Sequence, residues 1–286
     1  MKILTDWSAC DVQVIRSRHN PLIKNIRALH ERKRRRREGR FLIEGVRLLE
    51  EAVAAGVHLE RVLVAPELIT GERERALMEQ LRAGGVTINA VTASLLSVVA
   101  ETETPQGFVA VARIPPPPDL YSLVQEGDLL VLGDGIQDPG NAGTIIRTAA
   151  GAGAQGVFFS AGSVDPYSGK VVRASMGSLF RIAVDVLGDS RELVKACRSA
   201  GWEVLVTSPI GGTPLWQVTM GGALLVVLGN EGAGVSPELL EAGTQRVYIP
   251  LARAVESLNV AVAGGVILFE VVRQRQCNNQ ETMPEA

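Results

Sequence analysis

Three glycine-rich segments in the second half of the chain carry polar side chains that could act on a bound ligand. In chain order these residues are Asn141, Arg147, Glu231, Ser257 and Asn259. All three histidines lie in the first half of the chain, so imidazole is not expected near these segments. Chemistry here would depend on a guanidinium, a carboxylate, a hydroxyl and two amides, which bind, orient and stabilise charge.

Glu231 lies in the turn Gly229–Gly234, directly after the apolar run Leu224–Leu228. A carboxylate among glycines does not serve packing, and glycine lets backbone amides approach a ligand closely. The pattern therefore favours a binding loop after a strand. The alternative is an exposed loop with an incidental carboxylate.

The other two segments are typical of helix beginnings. Asn141 suits the N-cap of a helix that would carry Arg147 six residues later. Ser257 and Asn259 precede the apolar run Val260–Phe269, as a helix N-terminus requires. Taken singly, each pattern also fits a purely structural role, such as a capped helix whose arginine lies along an apolar surface.

Alternating strands and helices must position these segments. The helices are predicted at 142–150, 190–200 and 258–275. Glycines cluster just after the strands, where ligands bind in open α/β sheets. The pattern predicts a mostly parallel sheet that is covered on both faces. Six β-like runs are predicted as its strands: Leu129–Leu132, Val157–Ser160, Ile182–Val186, Val204–Thr207, Leu224–Leu228 and Val247–Ile249.

A smaller α/β domain is predicted before the four prolines Pro115–Pro118. Consecutive prolines cannot lie inside a helix or a central strand, and they favour an extended spacer. We therefore divide the chain into a basic arm with a small α/β domain (1–113), a linker (114–119) and a larger α/β domain (120–286). The strands of the small domain are predicted at 41–43, 62–65, 86–88 and 108–112, and its helices at 46–55, 72–82 and 92–98.

The net charge of −2 conceals a strongly basic arm. Residues 16–40 contain eleven Lys and Arg against two Glu, whereas residues 120–286 contain eleven against sixteen acidic residues. This asymmetry favours a polyanionic partner, because Lys and Arg that neutralise phosphates give affinity without sequence information. The alternative is a solvated charge run, and the density of the run argues against a buried element. The residues expected to contact the phosphates of such a polyanion are Lys24, Arg34, Arg35, Arg36 and Arg37.

Composition and motifs exclude several classes of protein. No apolar run reaches the ~20 residues of a transmembrane helix, and the first ten residues lack the apolar core of a signal peptide. The three cysteines are far apart and form no CxxC, so we expect neither a zinc site nor a disulfide framework, and we expect a reducing cytoplasm. The GxGxxG string Gly151–Gly156 follows a helix and precedes a strand, the reverse of a dinucleotide fingerprint, so a helix stop is favoured over a nicotinamide-dependent oxidoreductase.

Together and in this order, the three segments resemble the three motifs of the SpoU/TrmH family of RNA ribose 2′-O-methyltransferases. The resemblance spans roughly residues 125–275, with Leu251 where Met is frequent and Ala261 where Ser is frequent. The first half resembles, more weakly, the family's ribosomal-protein-like substrate-binding domain. The matching strings are 141–147 (NAGTIIR), 228–232 (LGNEG), 249–250 with 256–260 (ESLNV) and, in the first half, 19–24 (HNPLIK) and 41–45 (FLIEG).

The resemblance implies a C-terminal α/β domain with a deep trefoil knot, a rare exception to the rule that chains are unknotted. It implies that S-adenosylmethionine binds in the knot and that the protein is a homodimer. From the residues themselves, which offer no Cys/His cluster and no long apolar run, we expect that neither a metal nor a membrane takes part. The cofactor-binding residues that the resemblance implies are Thr207, Gly229, Asn230, Ile249, Leu251 and Leu258.

The resemblance also implies methylation of a ribose 2′-hydroxyl in structured RNA, with 23S rRNA favoured over tRNA by the two-domain layout. Arg147 would act as the proton acceptor or as an electrostatic stabiliser of the oxyanion. Asn141 would orient Arg147 or the ribose, and Glu231 would offer its carboxylate to Arg147 or to the substrate. Ser257 and Asn259 would bind the ribose or hold the loop. The alternatives are a tRNA 2′-O-methyltransferase and a catalytically silent RNA-binding protein.

Overall fold

The computed structural model describes residues 14–209, 211–252 and 256–281, and Cys10 lies outside this range. The chain forms two compact units. The first comprises residues up to 116 together with 167–173, and the second comprises 117–166 and 174–286. The division falls in the predicted linker, but no sequence pattern indicated that residues 167–173 would join the first unit.

The first unit is an α/β domain built on four strands. The order in the sheet is β1-β4-β2-β3, with β4 antiparallel to both neighbours and β3 parallel to β2. Its elements are α1 (Pro21–Ala28), α2 (Arg32–Glu38), β1 (Arg40–Glu44), α3 (Val46–Ala54), β2 (Leu59–Val64), α4 (Glu72–Ala83), β3 (Thr87–Ala90), α5 (Ala93–Val99) and β4 (Phe108–Arg113).

Helices α1 and α5 pack on one face of this sheet. Ile23 and Ile26 of α1 are buried in the same apolar cluster as Leu95 of α5 and Val109 of β4. The buried side of α1 leaves its polar side free for solvent, as expected of an amphipathic helix.

The segment 167–173 packs into the first unit through an aromatic contact and two ion pairs. The ring of Tyr167 lies 5.1 Å from that of Phe41. The Arg173 guanidinium lies 3.1 Å from the carboxylate of Glu101 and 3.6 Å from that of Glu44. A short stretch of sequence from the second half of the chain thereby completes the first unit.

The second unit is built on seven parallel strands with helices on both faces. The strand order is β7-β6-β5-β10-β8-β11-β9, so β10 lies between β5 and β8. Its elements are α6 (Leu120–Glu126), β5 (Leu129–Gly133), α7 (Pro139–Gly151), β6 (Gly156–Phe159), β7 (Ala183–Val186), α9 (Ser190–Ser199), β8 (Glu203–Thr207), β9 (Thr213–Pro214), β10 (Leu224–Leu228), α10 (Pro237–Ala242), β11 (Gln245–Tyr248) and α11 (Val260–Glu281). Helix α8 (Gly169–Ala174) lies between β6 and β7 in the chain, but all of it except Ala174 belongs to the first unit.

Alternate residues of the strands face opposite helical layers, as the pleat of a strand requires. Leu130 of β5 and Leu225 of β10 lie in one apolar cluster with residues of α6, α9 and α10. On the other face, α11 packs against α7, and a Cβ at Gly264 of α11 would lie 2.8 Å from the Leu228 side chain. α11 runs back to the amino ends of the strands, where Arg275 donates to the carbonyl of Asp128 (2.8 Å).

The predicted α/β class and parallel sheet are confirmed, and each of the ten predicted strands is present within a few residues. Sequence reasoning missed β9, which has two residues, and the short helices α6, α8 and α10. The Gly151–Gly156 string ends α7 and leads into β6, as predicted for a helix stop. Among the described residues, no helix is long and apolar enough to cross a bilayer.

Candidate active site

The first two glycine-rich segments meet at the carboxyl edge of the sheet, where β5 and β10 are neighbours. The Asp134 amide donates to the Leu228 carbonyl (2.8 Å), and the Ser236 amide donates to the Asp134 carboxylate (2.8 Å). The Asn230 side chain donates to the carbonyl of Gly135 (2.7 Å). These bonds fix the two segments against each other.

Glu231 extends from the second segment to the beginning of α7. Its carboxylate accepts hydrogen bonds from the Asn141 side chain (2.9 Å) and from the backbone amides of Asp138 (3.2 Å) and Gln137 (3.3 Å). Partial desolvation raises the pKa of Glu231, but these hydrogen bonds outweigh it and leave the pKa below its usual value. Glu231 is therefore an anion at neutral pH.

The prediction that Asn141 is the N-cap of α7 is wrong. The N-cap is Asp138, whose carboxylate accepts from the backbone amide of Asn141 (2.8 Å), and Pro139 occupies the first helical position. Proline suits that position because its missing N–H would have no partner there. Asn141 lies inside the first turn, and its side chain is free to reach Glu231.

The third segment joins the same network through Asn259. Its Nδ2 donates to Oδ1 of Asn141 (2.9 Å), while its Oδ1 accepts from the backbone amides of Ala261 (2.9 Å) and Val262 (3.2 Å). Asn259 therefore caps α11, as the sequence predicts for a helix N-terminus. One hydrogen-bonded chain, Asn259–Asn141–Glu231, connects the three segments.

The turn that carries Glu231 is closed by Asn230. The backbones of Asn230 and Gly234 exchange two hydrogen bonds (2.9 and 3.0 Å), and Asn230 Oδ1 accepts from the amides of Gly232 (2.9 Å) and Ala233 (2.8 Å). Gly229 cannot be replaced without a shift, because a Cβ there would lie 2.4 Å from the Val235 nitrogen. The side chain of Asn230 is thus committed to the turn.

Beside this network lies a cavity of ≈ 550 Å³, within the usual range for small-molecule sites. Glu231, Glu256 and Ser257 are among the residues that line it. All six residues implied as cofactor contacts line it: Thr207, Gly229, Asn230, Ile249, Leu251 and Leu258.

Arg147 lies apart from this cavity. It is exposed on α7, is not among the residues that line the cavity, and forms no hydrogen bond or ion pair with another described residue. Its neighbours on the exposed side of α7 are Gly140, Thr144 and Gly151, at helical spacing. The structure brings together four of the five predicted catalytic residues and leaves Arg147 outside.

The basic arm forms α1 and α2 of the first unit. Lys24, Arg36 and Arg37 are exposed, and Arg34 is half-buried beside Glu38 (3.3 Å). These positions are accessible to a polyanion, as the prediction of phosphate contacts requires.

Arg35 does not fit that prediction. It is only 4% exposed, and its guanidinium donates to the carbonyls of Leu29 (2.8 Å) and His30 (2.7 Å) after the end of α1. Carbonyls at a helix C-terminus need such donors. Arg35 therefore holds α2 against α1 and is not accessible to phosphate.

Sequence reasoning also missed three residues that shape the site. Asp134 connects the first two segments, Asp138 caps α7, and Glu256 adds a second carboxylate to the cavity. Only Asp138 had a local signal, since an Asp–Pro pair before a helix is a common N-cap and N1 combination. Among the described residues, no group of His, Cys, Asp and Glu could hold a metal ion.

Comparisons with known proteins match both units. A family model described as the SpoU rRNA Methylase family matches residues 128–269, and one described as an MRM3-like substrate binding domain matches residues 20–110. An uncharacterized tRNA/rRNA methyltransferase of Synechocystis is 37% identical over 93% of this chain and 95% of its own.

Two further relatives have more specific descriptions. The 23S rRNA (guanosine(2553)-2′-O)-methyltransferase RlmP of Bacillus subtilis is 34% identical over 90% of this chain and 98% of its own. The crystal structure of the SpoU methyltransferase AviRb from Streptomyces viridochromogenes, in complex with the cofactor AdoMet, has a TM-score of 0.82 and 33% identity, covering 90% of this chain and 98% of that one. These matches confirm the family, enzyme class and cofactor that the three motifs predicted. The chain belongs to the SpoU rRNA methylase family.

Proposed function

We propose that this protein transfers a methyl group from S-adenosylmethionine to a ribose 2′-hydroxyl of 23S rRNA. The observation that carries the proposal is the hydrogen-bonded chain Asn259–Asn141–Glu231, which joins all three motif segments beside the cavity. The names of the relatives in Bacillus subtilis and Streptomyces viridochromogenes support 23S rRNA as the substrate.

The cavity fits S-adenosylmethionine in shape and charge. The apolar side chains of Ile249, Leu251 and Leu258 suit the faces of an adenine ring. At Gly229 the absence of a side chain lets backbone groups come close enough to hydrogen-bond the polar edge of that ring. The carboxylates of Glu231 and Glu256 suit the positive sulfonium and ammonium groups. When bound, the cofactor supplies an activated methyl group with its own leaving group, so the protein chiefly positions the reactants.

The chain's own residues bind the ribose and stabilise charge. Ser257 presents a hydroxyl to the ribose, while Asn259 holds the loop by capping α11 and by donating to Asn141, which Glu231 holds from its other side. Arg147 stabilises the developing oxyanion and the adjacent phosphate while the hydroxyl proton leaves to solvent water, because a guanidinium stays protonated in proteins and its forked donors match oxyanions.

The active site is completed by a second copy of the chain. Val262 and Phe269 of α11 are 53% and 52% exposed, although both are apolar. Phe269 lies beside Gly151, one helical turn from Arg147. A homodimer that buries this face brings Arg147 of one protomer to the cavity of its partner, which accounts for its position outside the cavity of its own chain.

The dimer has two direct tests. Phe269→Asp should give a monomer by light scattering, whereas Tyr121→Asp, also at an exposed aromatic residue, should not. Mixing Arg147→Ala with Leu258→Trp, which fills the cavity, should restore about a quarter of the activity through mixed dimers. No restoration would mean that Arg147 acts within its own chain.

The trefoil knot and the cytoplasmic location complete the proposal. β10 lies in the middle of the sheet between β5 and β8, and α11 returns from the carboxyl edge to the amino edge, a strand order compatible with a knotted chain. The substrate class of the relatives supports action in the cytoplasm, where ribosomal RNA is made and assembled in bacteria.

Labelled cofactor provides the decisive experiment. The full chain is incubated with methyl-tritiated S-adenosylmethionine and, separately, with 23S rRNA and bulk tRNA from cells that lack the gene. We expect label in 23S rRNA at an alkali-resistant linkage, because a 2′-O-methyl group removes the hydroxyl that attacks the neighbouring phosphodiester. Label only in tRNA would show that tRNA, and not 23S rRNA, is the substrate. Cofactor binding without label in any RNA would indicate a catalytically silent RNA-binding protein.

A further inference from the structure

A strained turn lies beside the first turns of α7. Residues Ser175–Ser178 form a tight turn closed by the Ser178 amide and the Ser175 carbonyl (3.0 Å), with φ of 50° at Met176 and 89° at Gly177. Two positive φ angles are typical of a type I′ turn, which favours Asn, Asp or Gly at its first central position. Met176 is the one non-glycine residue with a positive φ in the part of the chain that the structure describes.

The turn is anchored on both sides of this methionine. Ser175 is 0% exposed, Gly177 is buried, and Leu179 beyond it is buried as well. Met176 alone projects from the turn, with 37% of its surface exposed. The surrounding structure therefore holds an unfavourable backbone in place and presents an apolar side chain to solvent.

The turn is packed against the helix that carries two of the proposed active-site residues. A Cβ at Gly143 would lie 2.4 Å from the Ala174 side chain and 2.9 Å from the Ser175 nitrogen, so only glycine permits this contact. Gly143 precedes Arg147 by one helical turn on the same side of α7, whereas Asn141, two residues before Gly143, faces nearly the opposite side, toward Glu231.

We propose that Met176 positions the substrate nucleotide by packing its thioether against the nucleobase attached to the methylated ribose. The proposal rests on the proposed function. A ribose within reach of a cofactor must be turned out of its stack, and its base then requires an apolar surface. Methionine makes favourable contacts with aromatic rings and adapts to different shapes, so it suits a base without reading its identity. The turn lies on the side of α7 that carries Arg147, so in the proposed dimer Met176 accompanies Arg147 to the partner's cavity, and backbone strain is expected to persist where it has such a use.

Paired substitutions test the proposal. Met176→Asn removes the apolar group and suits a positive φ, whereas Met176→Leu keeps an apolar group of similar size. We expect Met176→Asn to raise KM for 23S rRNA about fivefold or more, the low end of measured base-stacking losses. The unfolding midpoint and the Kd for S-adenosylmethionine should be no worse than in the wild type. Met176→Leu should keep KM within about twofold, and Tyr121→Asn, at an exposed aromatic residue on α6, should leave it unchanged.

Two outcomes would overturn the proposal: an unchanged KM in Met176→Asn, or an equal loss in Met176→Leu. Failure of the proposed function is distinguishable, because the wild-type protein would then label no rRNA. In that case the affinity for the same RNA, measured by fluorescence anisotropy with S-adenosylhomocysteine present, is compared between wild type and Met176→Asn. Equal affinities would overturn the proposal there as well.

Discussion

The basic arm and the loops around the cavity differ in how their charged groups are held. In the arm, residues 16–40 carry eleven Lys and Arg, of which seven are exposed, five of them on α1 and α2. Around the cavity there are few charges, and Glu231 has four hydrogen-bond donors, two backbone amides and two asparagine side chains. The arm has many groups with loose geometry, whereas the loops have few groups with fixed geometry.

This difference predicts two kinds of response to mutation. Exposed cations that contact phosphate contribute in small and similar steps, each sensitive to salt. Groups joined in one hydrogen-bonded chain act together, so removing one member costs most of what the whole chain contributes. Substitutions around the cavity should therefore be severe and non-additive, and those in the arm mild and additive.

The largest effect is expected at Arg147. Arg147→Ala should lower the single-turnover rate by about 10²–10³-fold, the usual cost of removing one oxyanion-stabilising donor. Calorimetry should show S-adenosylmethionine bound as in the wild type, because Arg147 does not line the cavity of its own chain and, in the proposed dimer, contacts the RNA rather than the cofactor. Arg147→Lys should regain part of the rate if charge is what matters. The control is Arg198→Ala, which removes an exposed arginine on α9 and should keep full activity. Full activity in Arg147→Ala would show that Arg147 has no part in methyl transfer.

The next largest effect tests whether Asn141 and Glu231 act as one unit. Each of Asn141→Ala and Glu231→Ala should lower kcat by about 10–10²-fold, and the double variant should be hardly slower than the slower single one. The coupling free energy from this double-mutant cycle should be about 1–3 kcal/mol. Glu238→Gln, at an exposed carboxylate on α10, serves as the control. Additive losses would show that the 2.9 Å hydrogen bond between them has no part in turnover.

Local patterns predicted the sheet but not the contacts across its edge. The apolar runs of β5 and β10 are visible in the sequence because burial on both faces leaves a continuous hydrophobic stretch. Asn141 suited an N-cap by residue type, yet Asp138 three residues earlier holds that position beside Pro139. Nothing near Asn141 in the sequence indicates Glu231, which lies ninety residues away. The motif resemblance placed these two residues in one site, and hydrophobic periodicity could not have done so.

The arm shows the same limit from the opposite direction. The sequence does not distinguish the four arginines of the run 34–37, because composition predicts phosphate contact equally for each of them. Packing of α2 against α1 turns only Arg35 inward, to the carbonyls of Leu29 and His30. Tertiary geometry, which a run of identical residues does not encode, selects the structural arginine.

That selection gives the third prediction. The double substitution Arg36→Ala and Arg37→Ala should weaken RNA binding about tenfold at low salt and reduce the salt slope by about 1–2, with an unchanged unfolding midpoint. Arg35→Ala should instead cost about 2–4 kcal/mol of stability, because one buried and one partly buried carbonyl lose a charged donor. Nitrocellulose filter binding across a salt series and thermal unfolding separate the two effects. If Arg35→Ala changes the salt slope as the double variant does, the distinction between structural and binding arginines is wrong.

The smallest effect concerns the pH dependence of the first unit, where His30 connects the arm to Glu101. His30 Nδ1 lies 3.0 Å from the Glu101 carboxylate, and its Nε2 lies 2.7 Å from the Val99 carbonyl. The hydrogen bond with Glu101 raises the pKa of His30 above 6.5, and the same bond, with help from Arg173, lowers the pKa of Glu101 to about 2.

These shifts fix the sign and the pH window. The contribution of His30 is fully present below pH 6.5 and is lost as the pH rises through its folded pKa, whereas that of Glu101 is present above pH 4.5 and is lost as the pH falls toward 2. The pair is therefore strongest between pH 4.5 and 6.5. His30→Gln should destabilise the protein by about 1 kcal/mol more at pH 5.5 than at pH 9, a modest value because both side chains are partly exposed.

Thermal unfolding across this pH range measures the difference, and the same substitution in a Glu101→Gln background provides the control. There the effect of His30→Gln should hardly vary with pH, because the partner charge is gone. If His30→Gln destabilised the otherwise wild-type protein as much at pH 9 as at pH 5.5, the neutral hydrogen bond to Val99, rather than the ion pair with Glu101, would hold His30. The arm would then be joined to its domain at His30 by hydrogen bonds that do not depend on charge. Arg35 makes the complementary point, because it is a charged residue of the arm that holds the fold and is not accessible to RNA.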